Sequence, residues 1–589
     1  MAKRESPARQ AEAMIRAGQL DRARALLERS LRQKPGDPGV NSLLARVLIA
    51  AGEFERAVYH LERVVAARPS DAIPVAALAE QLLDLGRFDE AERAGARLLD
   101  LGADAAGPAG AISSIMLSHD RHRMALELGE WAHEQAPEDA RIGGYAAAAR
   151  AFVGDHAGAA DVLRATAAHR ATHPDLQRDT LLLMLYCPQF SPQEVFEAHR
   201  LYGELKAEHT PARPPAIRDP DPDRPLRVGY ISQDFRNRSA GHFIEGIVEH
   251  HDRAAVEPWC YSHRLRVDEL TERVRAYAAG FREIHRMTDE MVDRQIRSDA
   301  IDIAVDLTGH TGLNRVGVLA GKPAPVQATY MGYAATTGLG AIDYRIVDAH
   351  TDPAPEADVL ATERLIRLDP CFLCYTPPPH APGVSPCPSE AAGWVTFGSF
   401  NTFAKITDEA VAAWARMLGE IPGSGLLVKN AGLKDPWLAE RFRERFGRLG
   451  GDASRVELLG ETPTAAEHMG LYARIDVALD TFPYNGTTTT LEAMWMGVPV
   501  VTIEGDSHVS RVGVSLLRNL GLDDLIAPDA DGYVGRAVTV ARDIERRRAL
   551  RGELRERVRT RLCDFGSFVP RLEAAYREMW RRAVAPRTD

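Results

Sequence analysis

The residues of this sequence best suited to chemistry are a run of hydroxyl side chains at the start of a predicted helix. Four threonines, Thr487 to Thr490, follow a Pro/Asn/Gly turn in the segment DTFPYNGTTTTLEAMWMG. Threonine is a natural N-cap, and the free N–H groups and the dipole at a helix start attract anions. Glu492 lies one turn into the helix and could accept hydrogen bonds from ribose hydroxyls. An ordinary capped turn would explain one threonine better than four, so the segment indicates an anion site.

Two more side chains could complete such a site. Lys405 follows a predicted strand in FGSFNTFAKI, where its charge could neutralise a diphosphate. His468 precedes a predicted strand in TPTAAEHMGLY, and its ring could stack on a nucleobase. Each alone is more typical of a surface lysine or of a histidine at a helix start. Together with the threonines they indicate a nucleotide site.

The surrounding segments alternate between short apolar runs and amphipathic helices. The runs LRVGYIS, PWCYSH, DIAVDLTG, VQATYMGY and DYRIVD predict the strands of one lobe, and WVTFGSF, GLLVKN, VELLG, DVALDTF and VPVVTIEG those of a second. Such alternation predicts parallel sheets with crossover helices. Ligands bind beyond the carboxyl ends of such strands, where the threonine turn falls. We therefore expect a cleft between two Rossmann-like lobes.

A fixed period of 34 residues organises the N-terminal third of the chain. The repeated positions are the glycines Gly18, Gly52, Gly86 and Gly154 and the alanines Ala23, Ala57, Ala91, Ala125 and Ala159. Glycine permits a tight turn between paired helices, and alanine lets the second helix pack closely. The spacing resembles the tetratricopeptide repeat, a binding surface without chemistry of its own.

These patterns predict four segments. They are a repeat array over residues 1–175, linking helices and a proline-rich hinge over 176–222, a first lobe over 223–390 and a second lobe over 391–589. The candidate nucleotide site falls in the second lobe.

Composition excludes several classes of protein. The 589 residues carry a formal net charge of −11, which argues against a nucleic-acid footprint. The six cysteines are too few for a disulfide framework and indicate a reduced protein. Cys371 and Cys374 form a lone C-x-x-C without a second pair at zinc-site spacing, so no metal is expected. No signal peptide or membrane-spanning run is recognised, and we expect a cytoplasmic protein.

The segments LRVGYISQDF, DLTGHTGLNRVG, KPAPVQATYMGYAATTG, FNTFAKI and LDTFPYNGTTTTLEAMWMGVPVVT resemble the O-linked N-acetylglucosamine transferase and Spindly-type family of GT-B glycosyltransferases. They span residues 226 to about 522, and the repeat arm matches the family's usual N-terminal half. The resemblance implies an α+α/β multidomain chain, in which an N-terminal α-solenoid of tetratricopeptide repeats precedes a GT-B pair of Rossmann-like lobes.

The resemblance also implies roles for individual residues. Lys405 matches a lysine that contacts the donor diphosphate, and Thr402 takes the place of a phosphate-binding glutamine. The other implied donor contacts are Thr487, Thr488 and Thr489 at the pyrophosphate, Glu492 at the ribose, His468 at the base, and Gly332 and Tyr333 on the loop that lines the sugar.

The general base stays open at this point. His310, in LTGHTG, lies on the acceptor side of the first lobe. Arg238 occupies the place where many relatives carry a histidine proposed as the base, and His242 lies four residues further on. Ala465 and Ala404 replace a base-binding lysine and a tyrosine. We therefore expect His242 or His310, with Lys405, to act in catalysis.

The repeat arm also departs from the animal members of the family. Their asparagine ladder for acceptor peptide would fall at Arg9, Leu43, Ala77, Ala111 and Tyr145. Capture of a peptide by that ladder is therefore not expected. The arm is predicted to bind acceptor proteins or other protein partners.

The resemblance implies an inverting, metal-independent glycosyltransferase that needs no cofactor besides its donor and modifies Ser and Thr hydroxyls of proteins. UDP-N-acetylglucosamine is the first choice of donor, and GDP-fucose is the alternative because the motifs resemble the Spindly branch equally. Two other hypotheses are a repeat scaffold with decayed catalytic lobes, and a transferase that acts on a surface glycan or lipid-linked sugar.

Overall fold

The computed structural model describes residues 6–264 and 267–585. The chain divides into two compact units, residues 1–169 and residues 170–589. Each unit is built on a different principle, helix pairs in the first and parallel sheets in the second.

The first unit is an array of consecutive helices. They are α1 (Pro7–Arg16), α2 (Leu20–Gln33), α3 (Pro38–Ala50), α4 (Phe54–Ala67), α5 (Ala72–Asp84), α6 (Phe88–Leu99), α7 (Ala106–Ser118), α8 (His122–Gln135), α9 (Ala140–Phe152) and α10 (His156–Ala165), and the short α11 (Ala167–Arg170) follows. The apolar faces of these helices form shared clusters across neighbouring pairs, as a repeat solenoid requires.

The repeat positions occupy the places that the period predicts. The turn glycines Gly18, Gly52, Gly86 and Gly154 all have positive φ, which glycine adopts without strain. Asp120 fills the one slot without a glycine and has a φ of 57°, a region that aspartate tolerates better than most residues. The five periodic alanines are all 0% exposed. The tetratricopeptide prediction is therefore confirmed.

The second unit begins with α12 (Pro174–Tyr186) and α13 (Pro192–His209). The first sheet comes next, with β1 (Leu226–Ser232), β2 (Val256–Ser262), β3 (Gly280–Glu283), β4 (Ile303–Asp306), β5 (Val326–Tyr330), β6 (Tyr344–Val347) and β7 (Arg364–Arg367). Its strands are parallel and lie in the order β3-β2-β1-β4-β5-β6-β7. The helices α14 (Gly241–His250), α15 (Glu269–Tyr277) and α16 (Asp289–Ser298) belong to this lobe.

A second parallel sheet contains β8 (Thr396–Ser399), β9 (Gly425–Lys429), β10 (Val456–Leu459), β11 (Val477–Leu479), β12 (Val500–Ile503) and β13 (Ile526–Ala527), in the order β10-β9-β8-β11-β12-β13. The accompanying helices are α17 (Pro388–Ala392), α18 (Asp408–Glu420), α19 (Pro436–Arg448), α20 (Ala465–Gly470), α21 (Thr488–Trp495), α22 (Val512–Asn519), α23 (Ala530–Arg542), α24 (Ile544–Leu562) and α25 (Phe565–Val584). The predicted pair of Rossmann-like lobes is therefore confirmed.

The last helix does not stay with the second sheet. α25 packs against α14 and β5 of the first lobe. The Tyr576 hydroxyl lies 3.2 Å from that of Tyr230 on β1, and the Trp580 indole N–H donates to the Asp221 carbonyl at 3.0 Å. The first lobe is thus completed by the far end of the chain.

Strand order locates the positions where a ligand is expected. The order reverses between β1 and β4 in the first sheet and between β8 and β11 in the second. Ligands of doubly wound sheets bind at such switch points, outside the carboxyl ends of the strands. His242 and His310 come after β1 and β4, whereas Lys405 and the threonine run come after β8 and β11.

Candidate active site

The start of α21 is an open helix terminus. Thr487 occupies the N-cap position but makes no capping hydrogen bond with its side chain. Thr490 instead donates to the Gly486 carbonyl at 3.1 Å, and Thr489 donates to the Asn401 side chain at 3.0 Å. The expected cap is absent because the Thr487 backbone is helical, whereas a capping residue is extended. The first N–H groups of α21 are therefore left for an anion.

A buried carboxylate shapes the turn before the helix. Asp480 accepts from the Thr481 and Gly486 backbone N–H groups at 2.9 and 2.6 Å, and from the Thr502 hydroxyl at 2.8 Å. Burial raises the pKa of Asp480 to about 6, against these hydrogen bonds and the charge of Lys405. This carboxylate fixes the turn from which the threonine helix begins.

Lys405 is joined to that turn. It ends a short helical turn over Phe403–Lys405, and its Nζ donates to the Asn485 carbonyl at 2.9 Å. The same Nζ lies 4.0 Å from the centre of the Tyr484 ring. Burial lowers the pKa of Lys405 to about 8, and the Asp480 carboxylate acts in the opposite direction. The structure thus brings the predicted cation to the predicted helix start, while the Thr402 side chain lies exposed just before it.

His468 and Glu492 form the other half of this site. His468 Nε2 lies 3.0 Å from Glu492 Oε2, and His468 Nδ1 lies 2.8 Å from Lys429 Nζ. A charged lysine can only donate, so the neutral ring accepts at Nδ1 and its Nε2–H donates to Glu492. Burial lowers the pKa of Lys429, and the charge of Glu492 partly offsets this.

Tyr472 connects the two halves. Its hydroxyl lies 3.3 Å from the Thr489 carbonyl and 3.2 Å from Glu492 Oε2. The sequence does not predict three residues of this site, Tyr472, Lys429 and Asn401. They reach the site only through tertiary packing, which leaves no sequence motif. The ends of neighbouring strands gave the one available signal, since Lys429 is the last residue of β9 and Asn401 lies just beyond β8.

The candidate residues of the first lobe are packed more tightly. Only glycine fits at position 332, because a Cβ there would lie 1.8 Å from the Leu307 carbonyl oxygen. Tyr333 is 5% exposed and its hydroxyl lies 2.7 Å from His199 Nε2 on α13. His310 is 4% exposed and its Nε2–H donates to the Thr337 carbonyl at 2.8 Å. These two side chains point into an aromatic cluster with Tyr202.

His242 is more accessible than His310. It is half-buried at the start of α14, with its ring 6.3 Å from that of Tyr375. Burial lowers the pKa of His242, and the charges of Glu492 and Glu245 oppose that shift. Burial lowers the pKa of His310 far more. The structure therefore brings His242 within electrostatic range of Glu492, whereas His310 remains in its own cluster.

The cysteines and acidic groups give no sign of a metal centre. Cys371 and Cys374 are free and buried, and burial raises the pKa of the Cys371 thiol to about 12. Over residues 6–264 and 267–585, no group of three or more metal-ligating side chains is placed to hold an ion. Within the same ranges, no helix has the length and apolar character needed to cross a membrane.

Two family descriptions match the chain. "Glycosyl transferase family 41" matches residues 209–374 and 387–572, which is more than half of the chain, and "Tetratricopeptide repeat" matches residues 48–109.

Individual relatives agree with these matches. The tomato (Solanum lycopersicum) protein "Probable UDP-N-acetylglucosamine--peptide N-acetylglucosaminyltransferase SPINDLY" is 42% identical over 69% of this chain and 44% of its own length. The Arabidopsis thaliana protein with the same description but the name SEC is 31% identical over 60% of this chain and 37% of its own. The chain thus spans less than half the length of these curated relatives.

A solved structure is similar over nearly the whole chain. A mutant O-GlcNAc transferase of Thermobaculum terrenum has a TM-score of 0.79 and 32% identity, and the match covers 92% of this chain and 96% of that one. The predicted resemblance and the predicted order of solenoid and lobes are both confirmed.

Proposed function

Because the chain belongs to glycosyl transferase family 41, we propose that it is an enzyme that transfers a sugar from a nucleotide-sugar donor to Ser and Thr hydroxyls of proteins. The observation that carries this proposal is the 2.9 Å contact between Lys405 Nζ and the Asn485 carbonyl. It holds a partly buried cation at the turn that opens the uncapped helix α21. A cation beside free helix N–H groups is the combination that a diphosphate requires.

The reaction that suits this arrangement is a single displacement with inversion and without a metal. The acceptor oxygen forms a bond to the anomeric carbon while the bond from that carbon to the diphosphate breaks. The hydroxyl proton passes to a base, and negative charge gathers on the leaving diphosphate. Lys405 and the first N–H groups of α21 stabilise that charge as it develops.

His242 is the better supported of the two candidate bases. It is half-buried, and its pKa responds to Glu492 of the second lobe. His310 is buried, and its Nε2–H is committed to the Thr337 carbonyl. We assign proton transfer to His242 and give His310 the task of shaping the loop around Tyr333.

The nucleoside half of the donor fits the group of His468, Glu492 and Lys429. His468 offers a ring face to the base, and Glu492 offers carboxylate oxygens to ribose hydroxyls. UDP-N-acetylglucosamine is our first choice of donor, since the names of the tomato and Arabidopsis relatives specify it. GDP-fucose is the alternative, because the motifs resemble the Spindly branch, which transfers fucose in plants, and the chain is 42% identical to the SPINDLY relative but 31% identical to SEC.

A panel of nucleotide sugars tests this function on the full chain. Thermal stabilisation reports donor binding, because a ligand that binds only the folded state raises Tm. Release of nucleotide then reports turnover without any acceptor. We expect one donor to stabilise the protein and to be hydrolysed, and Lys405→Met to weaken the stabilisation and to slow hydrolysis by roughly 10²–10³. Lys434→Met, a change at an exposed lysine of the same lobe, is the matched control.

The same panel separates the remaining hypotheses. Binding of GDP without UDP would reverse our order of donors. Failure of every nucleotide sugar to bind would favour a scaffold with decayed lobes. Turnover with transfer to glycans but not to proteins would favour a transferase that acts on a surface glycan or lipid-linked sugar. We assign the repeat arm to binding of acceptor proteins or other protein partners.

A further inference from the structure

A large cavity of the second unit lies beside the donor residues and includes none of them. Its volume is about 760 Å³, and its walls come from the α12–α13 junction, the loops after β5 and β6, and the loop after β12. The apolar part of the lining includes Phe190, Phe196, Leu360 and Phe482. This volume suits a side chain with its neighbouring residues.

The cavity adjoins the site of proposed transfer. Thr407 lies two residues after Lys405, and Phe482 and Pro483 lie on the turn that leads to α21; all three line the cavity. Asn485 N–H donates to the Val509 carbonyl at 3.0 Å, so the loop after β12 is bonded to that turn. An occupant of the cavity is therefore held next to the predicted diphosphate position.

A buried histidine presents an unused acceptor to this cavity. His508 lines it, is 8% exposed, and has Nδ1 2.5 Å from Asp352 Oδ2. Asp352 also pairs with Arg345 at 3.2 Å. In the neutral imidazole, Nδ1–H donates to the carboxylate and Nε2 remains an acceptor. Within the part of the chain that the structure describes, Nε2 has no hydrogen-bond partner.

Three carboxylates of the cavity lining are also without an ion-pair partner in the described ranges. Glu356, Glu409 and Asp506 line the cavity, are exposed, and make no ion pair among the described residues. The charges of the two arginines of the lining are paired, Arg345 with Asp352 and Arg511 with Glu504. Arg345 Nη2 is nevertheless a buried donor without a hydrogen-bond partner in the part of the chain described. The cavity thus offers acceptors and negative charge over an apolar wall. An occupant must bring hydrogen-bond donors, positive charge and an aliphatic stem.

We propose that this cavity docks a lysine- or arginine-bearing segment of the acceptor protein, and so selects hydroxyl residues that have a basic neighbour. The aliphatic part of a lysine or arginine side chain covers the phenylalanines while its charged end meets the carboxylates and His508. The identification of the occupant as the acceptor rests on the proposed transfer reaction. The binding of a basic segment does not depend on that reaction.

Three labelled peptides test the docking site with the full chain. They share one serine among alanines and differ only at two nearby positions, which are both Lys, both Gln or both Glu. Fluorescence anisotropy should show that the Lys peptide binds about tenfold more tightly than the Glu peptide, as electrostatic complementarity predicts. The triple change E356Q/E409Q/D506N should remove most of this difference, and His508→Phe should weaken binding of the Lys peptide.

A matched variant excludes a general effect of net charge. E208Q/E420Q/E444Q removes three exposed carboxylates that do not line the cavity and should retain the full preference. A preference that survives in the cavity variant, or that disappears equally in both variants, overturns the proposal. So do photo-cross-links from the Lys peptide that never reach residues 184–196 or 503–511.

Donor hydrolysis without peptide separates this proposal from the proposed function. The cavity variant should hydrolyse the donor at the wild-type rate while it loses the difference in transfer between the Lys and Glu peptides. If no donor is hydrolysed although the Lys preference depends on the cavity carboxylates, the transfer reaction fails and the docking site stands.

Discussion

Each of the two sheets of the second unit has a buried aspartate at its switch point that anchors the following turn. Asp306 ends β4 and accepts from the Thr308 and Gly309 N–H groups and from the Thr329 hydroxyl on the next strand. Asp480 lies just beyond β11 and accepts from two turn N–H groups and from the Thr502 hydroxyl on β12. Burial raises the pKa of each carboxyl to about 6. The loops are thus anchored alike.

The segments that leave the two anchored turns are different. After β11 the chain enters the uncapped helix α21, which Lys405 joins through the turn. After β4 the chain reaches His310, whose Nε2–H donates to the Thr337 carbonyl, whose Nδ1 is buried without a partner among the described residues, and whose ring packs against Tyr202. The aspartate that anchors each turn therefore has a structural role. The groups that follow the turn decide whether that end of the sheet can bind a ligand. The second sheet ends at an uncapped helix start beside a lysine, whereas the first ends at a packed wall.

Loss of the Lys405 charge should have the largest effect on activity and should remove the main difference between the two sheets. Lys405→Met should lower kcat by roughly 10²–10³, as is usual when a preorganised charge-stabilising group is removed. Circular dichroism should show an unchanged fold, because methionine has a similar length and its sulfur can pack on the Tyr484 ring over which Nζ lies. Wild-type turnover in this variant would mean that the second sheet is not the donor side.

Separate substitution of His242 and of His310 should show which of the two histidines acts in catalysis and which only supports the fold. His242→Ala should lower kcat by about 10², within the range for removal of a general base, and flatten the acid limb of the pH–rate profile. His310→Ala should mainly lower Tm, because it empties a buried position and leaves the Thr337 carbonyl unpaired. A lower kcat with unchanged Tm in His310→Ala would assign the base to His310 instead.

Removal of Lys429 tests the half of the site that the sequence did not reveal. Lys429→Met should weaken donor binding about tenfold, since the hydrogen bond of a charged group orients the His468 ring. Lys429→Arg should recover part of the loss because it restores a donor near Nδ1. Isothermal titration calorimetry with the nucleoside diphosphate measures the affinity of each variant. If Lys429→Met and Lys429→Arg bind the nucleoside diphosphate equally tightly, the proposed role of Lys429 is contradicted.

The smallest expected effect is a dependence of donor affinity on pH. The pKa of free Lys405 is about 8, and only its charged form pairs with the diphosphate. Affinity should therefore be constant well below pH 8 and fall as pH rises through it, by about fourfold between pH 7 and 8.5. The pH dependence should vanish in Lys405→Met, and a fall in affinity towards acid pH would contradict the assignment.

The sequence predicted the central strands well but only one of the four edge strands, β10. β1, β4, β8 and β11 were recognised because both faces of a central parallel strand are buried, which produces a continuous apolar run. β3, β7 and β13 were missed. β3 and β7 are partly exposed edge strands, and β13 has two residues. Such strands depend on a neighbour and leave little pattern of their own.

The same distinction explains which site residues could be predicted. Lys405 and the threonines lie in contiguous motifs with a local physical meaning. Asn401, Lys429 and Tyr472 act through partners 39 to 88 residues away or through a shared oxygen of Glu492. No periodicity or spacing records such contacts, because only tertiary packing creates them. The four predicted segment boundaries and the roles of the individual site residues stay predictions.

The return of α25 to the first sheet has a consequence for synthesis of the chain. Tyr230 and Tyr576, which meet in the finished lobe, are 346 residues apart. At about 5–20 residues per second, a ribosome needs roughly 20–70 s to make the stretch between them. During that time, the surface of the first lobe that α25 will cover is still exposed. The lobe that is made first is therefore the last to be finished.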